Sequence, residues 1–209
     1  DAFRITQVSM PSQVLLTLRE PLIGTNLWDL DLQALAGELS RQQPSLKRVR
    51  VVRQLPNAIR IEAIPRMPIA QVKVGMWHPV DAEGFILSGG FSQSPSELVR
   101  IVGADGGETP LRVGSLNRSE RLEVALRVLK VLRRAPALVS RRLTELNVSD
   151  PRQIRFVLDG NTEVRCGSEA ELSDQLDRLQ DALKTIARHQ MAVRYIDVRF
   201  REPVVSPAT

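Results

Sequence analysis

The sequence predicts an α+β protein built from two domains. Segments in which apolar and polar residues alternate predict strands, and long amphipathic segments predict helices. A stiff joint, Pro65-Arg-Met-Pro68, separates two groups of such segments. We expect a first domain over residues 1–66, a second over residues 67–205 and a tail over residues 206–209. The second is predicted to be a larger mixed α/β domain with an antiparallel sheet and a C-terminal edge strand.

Length, composition and charge limit the functions that are possible. A chain of 209 residues that is 43% hydrophobic and 25% charged is long enough to bury a core. No apolar run in it is long enough to cross a membrane. The chain begins at Asp1 without an initiator Met, so we expect a preceding segment that is an anchor or a signal. The net charge of +5 suits nucleic acid, anionic lipid or an acidic protein, and equally a solvated surface.

The first domain is predicted to contain three strands and two helices in the order β-α-α-β-β. The strands alternate over residues 3–8, 47–53 and 58–63. A short helix is expected at residues 12–18, and a second starts at Asp29 or Asp31. The buried stripe of the second helix is expected to be Leu32, Leu35, Ala36 and Leu39.

In the second domain most predicted strands are short. They are residues 69–74, 77–80, 85–87, 98–102, 143–148, 154–158 and 162–166. Asp159-Gly160-Asn161, between the last two, is typical of a tight hairpin turn.

Two long helices are predicted among these strands. The first opens at Asn117, with Glu120 as a capping-box partner, and the second opens at Ser168, with Glu171 in the same role. A short helix is expected between Pro136 and Arg142. The stripes of the two long helices are Leu122, Ala125, Leu126, Leu129 and Leu132, then Leu172, Leu176, Leu179, Leu183 and Ile186.

The last predicted strand runs from Val193 to Arg201, and its alternation is the clearest in the chain. Ile196, Val198 and Phe200 point one way, whereas Tyr195, Asp197 and Arg199 point the other. A terminal strand often lies at a sheet edge, where unpaired N–H and C=O groups can accept a strand from another protein. We therefore expect a partner to bind by strand addition at residues 193–205.

The sequence offers little for catalysis. His78 and His189 are its only histidines, and neither has a Cys or carboxylate at ligand spacing. Cys166, the single cysteine, is expected to be a small buried apolar side chain rather than a nucleophile. We expect no enzymatic activity, no metal and no cofactor.

Nucleic-acid binding stays an alternative hypothesis, because residues 118–142 are basic enough for one helix face to follow phosphates. Against it, the chain is only 4% aromatic, and no basic stretch interleaves aromatic residues for base stacking. We do not expect nucleic acid as the partner.

The first domain resembles a POTRA (polypeptide-transport-associated) domain of the kind found in the bacterial cell-division family FtsQ/DivIB. The segments that carry the resemblance are Gly24-Thr-Asn-Leu-Trp-Asp-Leu-Asp31, residues 44–57, Ile59-Arg-Ile61 and Pro68-Ile-Ala-Gln-Val72. Later family segments resemble Trp77, Val80-Asp-Ala-Glu-Gly-Phe-Ile-Leu87, Leu98-Val-Arg-Ile-Val-Gly103 and Tyr195-Ile-Asp-Val-Arg-Phe200.

The resemblance implies a single-pass inner-membrane protein whose periplasmic part lies at the division septum. It implies a non-enzymatic scaffold that binds FtsB and FtsL and helps control septal peptidoglycan synthesis. The POTRA domain is expected to help recruitment to midcell, and the second domain to accept a strand from FtsB. A different reading, a POTRA-bearing module for outer-membrane transport or assembly, stays open.

By matching position, Phe200 resembles a family aromatic at the partner contact, and Arg141-Arg142 resembles an arginine pair near it. The expected partner-binding residues are Tyr195, Arg199, Phe200, Arg201, Val204, Arg141 and Arg142. Pro203 departs from the family pattern and removes one backbone donor, which a sheet edge tolerates although the pairing is shortened.

Overall fold

A computed structural model describes residues 2–11, 22–95 and 97–208. The chain divides into two compact units, Asp1–Met67 and Pro68–Thr209. The predicted division between residues 66 and 67 lies one residue from this boundary. The helix predicted at residues 12–18 lies outside the described residues.

The first unit is a small sheet with an amphipathic helix against it. In chain order its described elements are β1 (Gln7–Ser9), α1 (Leu32–Gln42), β2 (Leu46–Gln54) and β3 (Ala58–Pro65). The strands lie in the order β1-β3-β2, with β3 parallel to β1 and antiparallel to β2. Asp31 caps α1, because its carboxylate accepts hydrogen bonds from the N–H groups of Gln33 and Ala34 at 2.9 and 3.0 Å.

The core of this unit forms where α1 packs on the strands. Leu39 is buried, and the predicted stripe residues Leu32, Leu35 and Ala36 pack partly buried against the same cluster. Val51 and Ile61 enter that cluster from β2 and β3, where they lie opposite each other. The stripe predicted for this helix is therefore confirmed.

The second unit is a mixed sheet of ten described strands. They are β4 (Pro68–Val74), β5 (Met76–Asp81), β6 (Phe85–Ile86), β7 (Val99–Val102), β8 (Ser115–Leu116), β9 (Leu143–Asn147), β10 (Arg155–Leu158), β11 (Thr162–Arg165), β12 (Val193–Asp197) and β13 (Val204–Pro207). Their spatial order is β13-β12-β11-β10-β9-β7-β4-β5-β6-β8. The predicted fold class is confirmed; three of the described pairings, β4–β7, β7–β9 and β11–β12, are parallel, and the rest are antiparallel.

The two faces of this sheet differ. Residues paired across neighbouring strands share a face, and one such row runs through Val72, Ile101, Leu146, Phe156, Val164 and Ile196, each at most 1% exposed. The helices α2 (Glu120–Leu132) and α3 (Leu172–Arg188) bury their predicted leucine stripes in the same core. The opposite row carries polar side chains such as Arg100 and Glu145, which form an ion pair at 3.1 Å.

The two predicted capping boxes have different outcomes. Ser168 and Glu171 form theirs, and a short 3-10 turn, Glu169–Glu171, leads into α3. The capping box at Asn117 is wrong, since α2 begins with Ser119 as its N-cap. The side chain of Asn117 is used elsewhere: it bonds the backbone N–H and C=O of Arg112 and the C=O of Ser115.

The end of the predicted terminal strand is also wrong. Strand β12 stops at Asp197 rather than at Arg201, and β13 returns antiparallel to it after a bend. Because β13 includes Ser206 and Pro207, regular structure continues two residues past the predicted domain end at 205. The short helix predicted before Arg142 is only a 3-10 turn, Pro136–Leu138.

Gly103, directly after β7, lies close to the backbone of Ser149, which follows the neighbouring strand β9. It has a positive φ of 82°, and a Cβ there would lie 2.5 Å from the backbone N of Ser149. Gly114 has a similar φ of 74° but no atom within 4 Å of such a Cβ. Both Gly→Ala variants introduce left-handed strain of about 1 kcal/mol, and only Gly103→Ala adds a backbone clash.

We expect Gly103→Ala to lower the free energy of unfolding by at least about 2 kcal/mol more than Gly114→Ala does. Urea denaturation followed by circular dichroism measures both. Equal losses in the two variants would show that the chain around Ser149 relaxes freely.

Candidate protein-interaction site at the C-terminal sheet edge

Strand β13 forms one edge of the larger sheet. It pairs only with β12 among the described strands, with Val204 opposite Asp197, Val205 opposite Ile196 and Ser206 opposite Tyr195. Val205 is therefore on the face covered by helices, where it packs partly buried against the core. Val204 and Ser206 are on the other face, and Val204 is 47% exposed.

A groove of about 380 Å³ lies between α3 and this edge. Its floor is apolar, with Ala182, Ile186 and Val205, and two arginines, Arg178 and Arg201, contribute to its lining. The remaining lining residues are Asp181, Thr185, Met191 and Pro203. An edge strand beside an apolar groove with charged lining residues is a geometry suited to binding an extended peptide.

A second, smaller cavity of about 160 Å³ contains Arg141 in its lining. It shares Ile186 and Met191 with the groove, so the two cavities adjoin at these residues. Arg141 Nη1 forms an ion pair with Asp159 Oδ2 at 2.8 Å, and the Arg142 N–H donates to Asp159 Oδ1 at 2.9 Å.

Opposing effects act on the pKa of the Asp159 carboxyl. Burial favours a higher pKa, but the hydrogen bonds from Arg142 and Arg141, together with the charge of Arg141, hold the pKa of Asp159 below its usual value. Asp159 has a positive φ of 53° and Gly160 one of 83°, as tight hairpin turns require. The hairpin predicted there is confirmed by the antiparallel pairing of β10 and β11.

Asp197 and Arg199 shape the bend between β12 and β13. Arg199 donates to Asp197 from its backbone N–H at 3.1 Å, from Nε at 2.9 Å and from Nη2 at 2.6 Å. The hydrogen bond from the Arg199 side chain is the main reason why the pKa of Asp197 is lowered, and the same contact raises the pKa of Arg199. Arg199 is thus committed to an internal ion pair.

Phe200 lies in this bend and is 56% exposed, with its ring centroid 5.9 Å from the guanidinium carbon of Arg199. Tyr195 lies on the open face of the sheet, where the guanidinium of Arg165 stacks 4.0 Å from its ring centroid. Of the predicted site residues, Arg201 and Val204 lie at the edge, Phe200 lies in the bend before it, and Arg141 and Arg142 lie at the adjoining cavity. Tyr195 and Arg199 are engaged within the protein, Tyr195 with Arg165 and Arg199 with Asp197.

The groove residues outside the predicted site are Arg178, Asp181, Ala182, Thr185, Ile186 and Met191. Pro203 and Val205 lie within the segment predicted to accept a strand, but they are not among the predicted partner-binding residues. The signal that could have found Val205 is the β-branched pair Val204-Val205 directly after Pro203, which predicts a new strand start. The groove residues of α3 cannot be found in the same way. The leucine pattern predicts the buried face of the helix, but it does not show which side of that face borders a groove.

Burial raises the pKa of the Cys166 thiol to about 12, so it stays protonated at neutral pH, and the side chain is buried as predicted. The described residues contain no cluster of three or more His, Cys, Asp or Glu side chains placed to hold a metal ion. Within the same described part of the chain, no helix has both the length and the apolar character needed to cross a membrane.

Two family models match this chain. The model described as "Cell division protein FtsQ/DivIB, C-terminal" matches residues 69–199, and the model described as "POTRA domain, FtsQ-type" matches residues 6–62. Together they cover most of both compact units, in the order predicted from the sequence. The family resemblance is confirmed.

Three similar proteins are each named "Cell division protein FtsQ". The protein of Myxococcus fulvus is 28% identical and aligns over 83% of this chain and 59% of its own length. The protein of Koribacter versatilis is 25% identical and aligns over 78% of this chain and 47% of its own length. The protein of Hirschia baltica is 34% identical and aligns over 51% of this chain and 38% of its own length. The chain spans about half the length of the curated relatives it matches.

The Asp197–Arg199 contact predicts a specific dependence of stability on pH. A carboxyl with a depressed folded-state pKa contributes stability above its unfolded-state value, near 3.8, and loses it as pH falls through the folded-state pKa. We expect Asp197→Asn to cost about 1–2 kcal/mol in the free energy of unfolding at neutral pH. The difference from the unmodified chain should be smaller at about pH 2 than at neutral pH.

Asp181→Asn is the matched control, because Asp181 pairs with Lys184 at 3.1 Å but is 81% exposed. An exposed pair contributes little and should give a small loss at both pH values. Denaturant titrations at both pH values test this. An Asp197→Asn loss that is independent of pH would assign its effect to packing instead of charge.

Proposed function

Because this chain belongs to the FtsQ/DivIB family of cell-division proteins, we propose that it is a non-enzymatic scaffold of the division machinery. Its proposed partners are small bitopic coiled-coil proteins of the FtsB/FtsL type, and binding them helps recruit and regulate septal peptidoglycan synthesis. The observation that carries this proposal is the free edge of β13 beside the α3 groove. The proposed location is the septum, with this part periplasmic in a single-pass inner-membrane protein.

Binding is proposed to extend the sheet by one strand. The partner segment lies along the outer side of β13, and its side chains alternate between the two faces. Those on the helix-covered face lie beside Val205 and enter the groove lined by Ile186 and Met191. Those on the open face lie near Val204 and Ser206.

The charges at the edge favour a partner segment that is apolar in the centre and acidic around it. Arg178 and Arg201 line the groove, whereas Asp181 is its one acidic lining residue. Arg141 lies at the adjoining cavity beyond Ile186 and Met191. Guanidinium groups bind carboxylates through paired hydrogen bonds, so acidic residues flanking the added strand have matching donors on both sides.

The match over residues 69–199 favours the division family over a POTRA-bearing transport module, because it covers most of the second unit, up to the bend before β13. In this proposal the first domain, residues 1–66, helps recruitment to midcell, and the second, residues 67–205, supplies the partner site.

Phe200→Glu tests whether the bend before β13 contacts the partner. Loss of an exposed aromatic anchor at the centre of an interface typically costs about 2 kcal/mol or more, which is about a thirtyfold rise in Kd. Isothermal titration with the folded periplasmic segment of the cognate FtsB-type protein measures this rise. Circular dichroism checks that the variant is folded.

Phe91→Glu is the control, because Phe91 is 47% exposed in the same unit and bridges to Trp77, beside the opposite half of the sheet. It should leave Kd unchanged. If both variants bind as the unmodified chain does, the partner does not contact Phe200. If the unmodified chain does not bind the segment at all, the proposed partner is wrong.

Thr185→Trp tests the groove itself. Thr185 lines it from α3, so an indole there fills the space that partner side chains need. We expect at least a tenfold rise in Kd, which corresponds to about 1.4 kcal/mol. Lys184→Trp is the matched control on the same helix: Lys184 is outside the groove lining and should tolerate the indole without a change in Kd. Equal Kd values for the two variants would remove the groove from the binding site.

A further inference from the structure

The outer edge of β13 carries an unusual arrangement of prolines. The Ala208 N–H donates to the Ala192 C=O at 2.8 Å, so residue 208 points its backbone towards β12. Backbone directions alternate along a strand, which places Ser206 and Val204 on the inner side and Pro207 and Val205 on the outer side. Pro203 lies one residue before β13 begins, and its C=O also points outwards, because the C=O of a trans peptide is opposite to the next N–H, here the inward N–H of Val204.

This placement leaves the outer edge rich in acceptors and poor in donors. Positions 203, 205 and 207 each have a C=O, but proline has no N–H, so Val205 supplies the only N–H of this outer series. Proline is tolerated at sheet edges when its nitrogen faces away from the ladder, and the pairing of β12 with β13 is accordingly intact.

Because donors are scarce at this edge, the number of hydrogen bonds that an incoming strand can form depends on the kind of strand. A second copy of this edge brings one outer N–H as well, so two copies share at most two hydrogen bonds in any register. A segment without prolines can donate to all three carbonyls and accept from Val205, which gives up to four hydrogen bonds. Both hydrogen-bond counts follow from the positions of Pro203 and Pro207.

We propose that Pro203 and Pro207 make β13 selective for a foreign strand over a second copy of the chain, with the Val205 N–H setting its register. The identity of that foreign strand rests on the proposed function; the exclusion of a second copy does not. In an antiparallel ladder, the partner residue that exchanges hydrogen bonds with Val205 shares its face. Its side chain therefore lies on the groove side of the sheet, so the register selects which partner residue enters the groove.

The first test needs no partner. Pro203→Ala/Pro207→Ala restores two outer N–H groups, and we expect this double variant to self-associate in sedimentation velocity experiments. The unmodified chain and the control Pro110→Ala, an exposed loop proline of the same unit, should sediment as monomers at the same concentration. A double variant as monomeric as the control would overturn the proposal, and so would an unmodified chain that dimerises through β13.

The second test removes the single donor. Replacing Val205 by its α-hydroxy acid exchanges the N–H for an ester oxygen and keeps the side chain, which packs against the core. With the FtsB-type periplasmic segment as probe, we expect about a fivefold or greater rise in Kd from the loss of one hydrogen bond. Circular dichroism should be unchanged, because this N–H is outside the β12–β13 ladder.

The outcomes separate the two proposals. If the unmodified chain binds the segment and the ester variant binds it equally well, the Val205 donor does not set the register, while the proposed function stands. If the unmodified chain does not bind the segment, the proposed function fails, and the self-association experiment still decides whether the prolines exclude a second copy.

Discussion

The carboxylate of Asp197 is the contact on which the C-terminal edge depends. It accepts three hydrogen bonds from Arg199, and so it ends β12 and bends the chain at the point where the sequence alternation alone would continue. The next contacts follow from that bend. The Val198 N–H donates to the Arg165 C=O and Arg178 Nε donates to the Val198 C=O, which ties the bend to β11 and to α3. Phe200 is left exposed, and β13 returns along β12 with Arg201 and Pro203 beside the groove.

Two long helices of the described chain, α2 and α3, cover one face of the larger sheet, and the groove lies between α3 and the edge of that sheet. The apolar stripe of α3 meets the core through Leu176 and Leu179, which are buried. Farther along the helix Ile186 is shared by both cavities, so the stripe reaches the margin of the covered area at the sheet edge. On this face β13 contributes Val205, which is only partly buried. A strand added beyond it would complete the layer that α3 begins.

Local patterns in the sequence predict the elements that nearby residues determine, but they do not reveal features that depend on distant contacts. The stripe of α3, the Ser168 capping box and the hairpin at Asp159 all rest on residues a few positions apart, and all three are present. The strand end at Asp197 was missed, because alternation does not reveal that Arg199 folds back on its own strand. Asn117 was misassigned for a similar reason, since its amide bonds residues 112 and 115 instead of the helix. The predicted terminal strand, Val193–Arg201, comprises β12 and part of the bend, whereas the edge strand of the structure is β13, of which only Val204 is among the predicted partner-binding residues.

The two edges of the sheet are limited in different ways. At the far edge β8 has only two residues, Ser115 and Leu116, and a strand this short offers little backbone to an incoming chain. Strand β13 has four residues and a groove beside it, so length does not protect it. Prolines at positions 203 and 207 remove donors from its outer side but leave every carbonyl in place. An edge kept only from aggregating needs neither the groove nor these acceptors, whereas an edge that must take one foreign strand and refuse its own copy needs both.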